Sequence, residues 1–275
     1  MNIETLNLLY FSPTQTTKKV LNAMAEGFNP EAVRQSDLTL PDSVRSKEPG
    51  EQIRIDEGLT IIGAPVYAGR VAPVAADRIR RFKADGSPAV LVVLYGNREF
   101  EDALRELKDL AVEAGFRPIA GGAFIGEHSF ADSKFPIARR RPDQEDLKKC
   151  SEFGALIKER IRQINSIDNL PIAEFPGNYP YRDVHSWKDS SPETLEDLCS
   201  RCETCVSVCP TAAIVLKDKI LTETGTCIVC CACVKNCPTG ARVMKDPQVV
   251  AIAEWLWQNY HKRKEPQIFF GGKIC

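Results

Sequence analysis

The chain has little that would direct it to nucleotides, nucleic acids or membranes. Its 275 residues contain no Gly-x4-Gly-Lys run, so nucleoside triphosphate hydrolysis has no support, and no Gly-x-Gly-x2-Gly run marks a nicotinamide dinucleotide site. The 36 Lys and Arg nearly balance 37 Asp and Glu, leaving a formal charge of −1. That balance supplies neither the basic face a nucleic acid needs nor a strongly acidic surface. No stretch approaches the ~18–20 apolar residues of a membrane span. Met1 to Phe11 lacks a basic region followed by a long apolar run, so no signal peptide is expected. Histidine is scarce, with three residues in all.

Cysteine is abundant, and it is patterned. Cys199-x2-Cys202-x2-Cys205-x3-Cys209-Pro210 is followed 28 residues later by Cys227-x2-Cys230-x2-Cys233-x3-Cys237-Pro238. This internal repeat has the spacing of the bacterial two-cluster iron–sulfur pattern, in which the fourth Cys of each run ligates the other cluster. Cys199, Cys202, Cys205 and Cys237 are therefore assigned to one [4Fe–4S] centre, and Cys227, Cys230, Cys233 and Cys209 to a second. Zinc or disulfides are the alternative. Two consecutive x2 spacings and an x3 spacing ended by proline, with no interleaved histidine, speak against zinc. Eight of the eleven cysteines fall in the repeat, leaving Cys150, Cys231 and Cys275. Cys231 reads as a small buried thiol beside the cluster, or as a swapped ligand. Cys275 has no assignable role. Free thiols with clusters imply a reducing compartment, so a soluble cytoplasmic protein is expected. From Leu198 to Ala241 the segment resembles the bacterial-type 2[4Fe–4S] ferredoxins.

The first half alternates strands and helices. Short apolar runs at Thr5 to Phe11, Leu59 to Ala64, Ala89 to Tyr95 and Arg117 to Ile125, with Ala32 to Leu38, read as five buried strands. Helical periodicity follows at Lys18 to Phe28, Pro73 to Phe82 and Glu99 to Ala114. The order predicts a doubly wound parallel sheet, whose ligands bind outside the carboxyl ends of the strands. The first such loop is Ser12-Pro13-Thr14-Gln15-Thr16-Thr17. Hydroxyls and free N–H groups at a helix start suit a phosphate, although an N-cap with spare threonines accounts for the same residues.

Residues 1–166 resemble flavodoxin-like FMN-binding domains, and Tyr10-Phe11-Ser12-x-Thr14-x-Thr16 looks like their phosphate loop. The resemblance implies that Ser12, Thr14, Gln15, Thr16 and Thr17 hold the FMN phosphate. It further implies that Pro65, Val66, Tyr67, Ala68 and Gly69, with Tyr95, Gly96, Asn97 and Arg98, hold the ring. Tyr67 is the candidate for stacking on the ring, or it packs its own loop. Gln15 departs from the family, which carries glycine there so that backbone can approach phosphate. Joined to the cysteine repeat, the chain resembles the flavodoxin–ferredoxin fusion proteins of anaerobic bacteria and archaea.

The expected organisation is a five-stranded flavodoxin-like α/β domain (1–166), a Pro/aromatic linker (167–192), a small α+β ferredoxin-like domain (193–246), and a C-terminal helix and tail (247–275). A helix from Pro142 to Ile164 is expected to close the first domain, with Pro142 in its first turn and Cys150 in the core. Arg139-Arg140-Arg141 reads as a solvated turn. Phe175, Tyr179, Tyr181 and Trp187 should hold the linker against the first domain. Pro247 is expected to start a helix through about Lys264, with His261 to Lys264 at its negative end.

These features together imply an electron-transfer protein with FMN and two [4Fe–4S] clusters, serving a redox protein partner or a small-molecule electron acceptor. One alternative is an FMN-dependent oxidoreductase in which His128 or Arg98 donates a proton or holds the substrate. A third reading is a flavin-free domain that docks a ferredoxin, for which Gln15 is the support.

Overall fold

The computed structural model describes residues 2–41, 52–169, 171–184 and 189–271. Trp187 and Cys275 lie outside them. Five parallel strands form the central sheet: β1 (Thr5–Tyr10), β2 (Ala32–Asp37), β3 (Leu59–Tyr67), β4 (Pro88–Tyr95) and β5 (Arg117–Ile125). Their spatial order is 2-1-3-4-5, the flavodoxin-like order, whose topological switch point lies between β1 and β3. Strands β1, β3, β4 and β5 are buried almost throughout, which is why they read as continuous apolar runs rather than alternating ones. Helices α1 (Thr16–Phe28), α2 (Pro73–Ile79), α3 (Ala103–Glu113) and α4 (Gln144–Arg162) cover the sheet. One face buries Leu9, Ile62, Leu91 and Leu107, the other Leu8, Leu21, Val92 and Phe153. Cys150 lies wholly within the second face, and burial raises its thiol pKa to about 12.

The sheet does not stop at five strands. The chain returns after the cysteine repeat, and β6 (Gln267–Phe270) pairs antiparallel with β5, Phe269 opposite Gly121. A side chain at Gly121 would collide with the Phe175 ring, and one at Gly122 would crowd the Gln267 carbonyl. The two glycines therefore let linker and returning strand lie close on β5. The C-terminal helix α5 (Pro247–Tyr260) is correspondingly shorter than expected. Arg263, instead of ending it, pairs with Asp143 (2.6 Å) and Asp146 (3.1 Å) at the start of α4.

Three other expectations need correction. Helix α4 begins after Asp143, not at Pro142, because Asp143 and Asp146 form a reciprocal capping box. Helix α3 begins at Ala103, after Asn97 and Glu101 turn with positive φ. Arg141 is buried, forming a bidentate pair with Asp146 and donating to the Lys264 carbonyl (2.7 Å), so the triple-arginine turn is not simply solvated. The linker does lie on the first domain: Asn178 and Arg182 donate backbone N–H to Asp102, and Phe175 is buried. Tyr179, by contrast, is 71% exposed.

Candidate functional site

The cysteine repeat folds as two superposable halves. Arg201 and Glu203 have φ of 55° and 57°; their counterparts 28 residues on, Val229 and Cys231, have 52° and 56°. Ala212 and Gly240 correspond likewise, at 53° and 67°. Left-handed residues inside each Cys-x2-Cys loop turn successive N–H groups toward one side, the geometry of an anion nest. Short helices follow at Thr204–Ser207 and Ala232–Lys235. Cys231 thus occupies the place of Glu203, a position outside the ligand spacing, and its thiol is buried, 3.7 Å from the Val229 carbonyl.

The eight cysteines line two cavities. Cys199, Cys202, Cys205 and Cys237 line the first, which is partly open to solvent. Cys209, Cys227, Cys230 and Cys233 line the second, which is open to a similar degree. Among the described residues no group of three or more His, Cys, Asp or Glu side chains is set to hold a single metal ion. The described cysteines are all free. In the first, outer cavity Cys202 is exposed, and hydrogen bonds from Thr204 bring its thiol down to about 7. Burial pulls Cys237 upward, yet hydrogen bonds led by the Arg242 backbone hold it below the usual thiol value. In the second, inner cavity burial pushes Cys227, Cys230 and Cys233 upward.

The inner cavity backs onto the sheet domain. Ile228 packs against the same core as Val66 and Tyr67. Burial lifts the Tyr67 phenol well above its ordinary value, with Cys230 and Cys231 adding to the shift. Arg78 of α2 donates to the Leu38 and Thr39 carbonyls and to the Pro210 carbonyl (2.6 Å). Lys235 pairs with Glu127 (2.6 Å) and reaches the Ala131 carbonyl. Helix α5 packs Ala253 and Leu256 on Phe135 and Ile137, in the chain that follows β5.

At the carboxyl edge of the sheet, the loop after β1 makes a left-handed turn without a glycine. Gln15 stands at φ 63°, the left-handed conformation glycine adopts freely, and both its backbone N–H and its amide donate to the Ser12 carbonyl. The Ser12 hydroxyl is engaged, accepting from the Lys18 N–H (3.1 Å). Thr14 and Thr16 hydroxyls lie 3.5 Å apart. The Thr17 hydroxyl is buried without a partner among the described residues, and an orphaned donor at the start of a 13-residue helix fits an anion.

The other two loops are brought to the same edge but only partly left for a ligand. Pro65, Val66 and Tyr67 extend β3, and Ala68 and Gly69 turn it back so that Arg70–Val71 pairs with its end. Tyr95 is buried against Phe100, and the Asn97 amide holds the Tyr260 (2.5 Å) and Lys262 (2.7 Å) carbonyls. Arg98 is paired bidentately with Glu101. The His128 ring rests on Gly96, where any side chain would collide with it. Its Nδ1 accepts from the Phe130 N–H (3.0 Å), and burial, helped by Lys235 and Arg98, lowers its pKa to about 4. His128 is thus a neutral, internally bonded ring at neutral pH.

Spacing arguments did not single out Arg78, Glu127, Lys235 or Arg242. The first three act across the contact between the halves, which no local pattern marks. Arg242 carried a usable signal: its counterpart in the first half of the repeat is Ile214.

Residues 192–249 match the 4Fe–4S dicluster domain family. No curated protein matches the chain. Among solved structures, a flavodoxin from the domain Archaea is 14% identical over 57% of this chain and 99% of its own, with a TM-score of 0.35. The FMN-bound Fusobacterium nucleatum flavodoxin is 15% identical over 57% and 98%, with a TM-score of 0.38. The rubredoxin:oxygen oxidoreductase of Desulfovibrio gigas is 14% identical over 58% of this chain, at a TM-score of 0.39. The chain spans 36% of that protein's length. The chain is a flavodoxin-fold domain joined to a 4Fe–4S dicluster domain. Among the described residues, no helix is long and apolar enough to cross a membrane.

Proposed function

We propose that the protein is an electron-transfer iron–sulfur flavoprotein. In this reading Cys199, Cys202, Cys205 and Cys237 hold an outer [4Fe–4S] cluster, and Cys209, Cys227, Cys230 and Cys233 hold an inner one. Ser12 to Thr17 take the phosphate of an FMN whose ring lies by Tyr67 and Gly96. The observation that carries the reading is the packing of Ile228, between Cys227 and Cys230, on the same core as Val66 and Tyr67, which supports an inner cavity beside the sheet edge where this fold binds ligands. When bound, cubanes pass single electrons and flavin takes one or two, so the set converts between one- and two-electron chemistry.

The chain's own residues supply placement and shielding. Cys202 leaves the outer cavity accessible to a redox protein partner or a small-molecule electron acceptor. Ile228 keeps water from the inner side, and Arg78, Lys235 and the α5 contacts fix the distance between the two domains. Left-handed residues in each loop aim N–H groups at the space the thiols surround, which favours the anionic cluster.

The test is the flavin and iron content of anaerobically purified protein, with visible spectra during stepwise reduction. About eight irons and one FMN per chain is the expected result. Eight irons with no flavin, even after FMN is added, would overturn the relay and leave a docked ferredoxin.

A further inference from the structure

One buried charge in the dicluster domain has no carboxylate partner among the described residues. Arg242 is 3% exposed, and it lines both cysteine cavities. Its Nη1 donates to the Thr194 hydroxyl (2.7 Å) and its Nη2 to the Thr222 hydroxyl (2.9 Å). Those threonines are themselves counterparts in the repeat, 28 residues apart. Nη2 also lies 3.7 Å from the Cys233 sulfur, a thiol of the inner set. The backbone N–H of the same residue donates toward Cys237, of the outer set. The Nε is buried with no hydrogen-bond partner among the described residues. In the first half Ile214 fills the matching position and is equally buried, so the site does not need a polar side chain in order to fold.

A buried guanidinium held by two hydroxyls and a thiol, with no carboxylate among the described residues, is costly, because its charge is uncompensated. Compensation must come from an anion in the cavities it lines, and a cubane with four thiolates is anionic and becomes more so on reduction.

We propose that Arg242 is a shared electrostatic partner of the two clusters, a permanent positive charge between them that stabilises the reduced form of both. The inference rests on the two-cluster reading above. In the step concerned, each cluster gains one electron from a low-potential one-electron reductant. No bond forms or breaks, and no proton moves, because a guanidinium stays protonated. The role is one of tuning through charge, so potentials read it out where turnover would not.

The experiment is a potentiometric titration of anaerobically purified full-length protein by electron paramagnetic resonance, comparing wild type with Arg242→Gln and Arg242→Lys. At any fixed potential, Arg242→Gln is expected to lower the reduced-to-oxidised ratio of both clusters at least tenfold, about 59 mV for a one-electron couple. Arg242→Lys, which keeps the charge, should recover most of that loss. Wild-type protein with only about four irons would fail the two-cluster reading itself. Clusters intact in Arg242→Gln with ratios within twofold of wild type would overturn the proposal, as would a shift confined to one cluster. Should Arg242→Gln lose its clusters, the Thr194→Val, Thr222→Val variant releases the guanidinium without removing it. Unchanged ratios there would equally overturn the role.

Discussion

The two halves of the dicluster domain share a backbone and face opposite surroundings. In the outer half Ser200 and Arg201 follow the first cysteine, and Cys202 is exposed. In the inner half their counterparts are Ile228 and Val229, and Cys230 is buried. The prolines follow the cavity rather than the half: Pro210, after Cys209 of the inner set, is buried and gives its carbonyl to Arg78, while Pro238, after Cys237 of the outer set, is exposed. Identical cysteine spacing thus leaves the residues between the thiols to set their exposure. In the proposed reading, exposed thiols suit exchange with a partner, and buried ones suit transfer within the molecule, where low dielectric strengthens every charge and dipole nearby.

The sharpest way to break this comparison is to remove one thiol from each set. Cys230→Ala is expected to lose the inner cluster, leaving about four of about eight irons, and to stop flavin reduction through the protein. Cys202→Ala should lose the outer cluster instead, yet leave the flavin reducible by a small reductant through the inner one. Equal defects in rapid-mixing measurements of flavin reduction would show that the two cavities are not in series.

A second effect concerns pH at the inner contact. His128 sits beside Lys235 with its folded pKa depressed from 6.5 to about 4. The unfolded chain therefore binds the extra proton first, so the stability this ring contributes is complete above pH 6.5 and is lost as pH falls toward 4. The loss should be about 2 kcal/mol after allowance for partial exposure. Denaturant melts of wild type and His128→Gln across that range check it, and parallel curves would contradict it.

Exchanging the counterpart residues sharpens the comparison further. Ile228→Ser, which gives the inner loop the outer loop's residue, should cost about 1–2 kcal/mol of half-buried apolar contact. It should also speed bleaching of the inner cluster by oxygen, whereas Ser200→Ile should leave stability nearly unchanged. A faster loss of the outer cluster in Ile228→Ser would reverse the assignment of inner and outer.

The smallest effect separates ligand from packing at the sheet edge. Thr17 and Thr60 each bury a hydroxyl with no partner among the described residues. Thr60→Val should stabilise the fold by about 1 kcal/mol without affecting FMN, and Thr17→Val should do the same to the apoprotein while weakening FMN roughly tenfold. Fluorescence titration distinguishes them, and equal FMN affinities in the two variants would remove Thr17 from the phosphate site.

Much of this was legible in the chain. The apolar runs of β1, β3, β4 and β5 are continuous because helices cover both faces of the sheet, and that is a local signal. The grouping of thiols was also legible in its spacing, since a repeat of 28 residues is visible without any fold. The fate of individual loop residues was not. Tyr95 and Asn97 look free to meet a ligand until Phe100 and the end of α5 are seen to occupy them. Gln15 reads as a departure from a phosphate loop, and only its backbone angle shows the glycine conformation retained.

By itself, then, the sequence determined the sheet, its helices, and eight cysteines spaced for two sites, because periodicity and ligand spacing are written in neighbouring residues. The tertiary structure alone decided that the chain would come back to add β6, that Arg141 would be buried against Asp146, and that Ile228 would pack on the same core as Tyr67. It also decided that Arg242 would lie between the two cavities. Each of these joins residues far apart in the chain, and what stabilises them is apolar burial and charge pairing, which act through space and leave no local period to read.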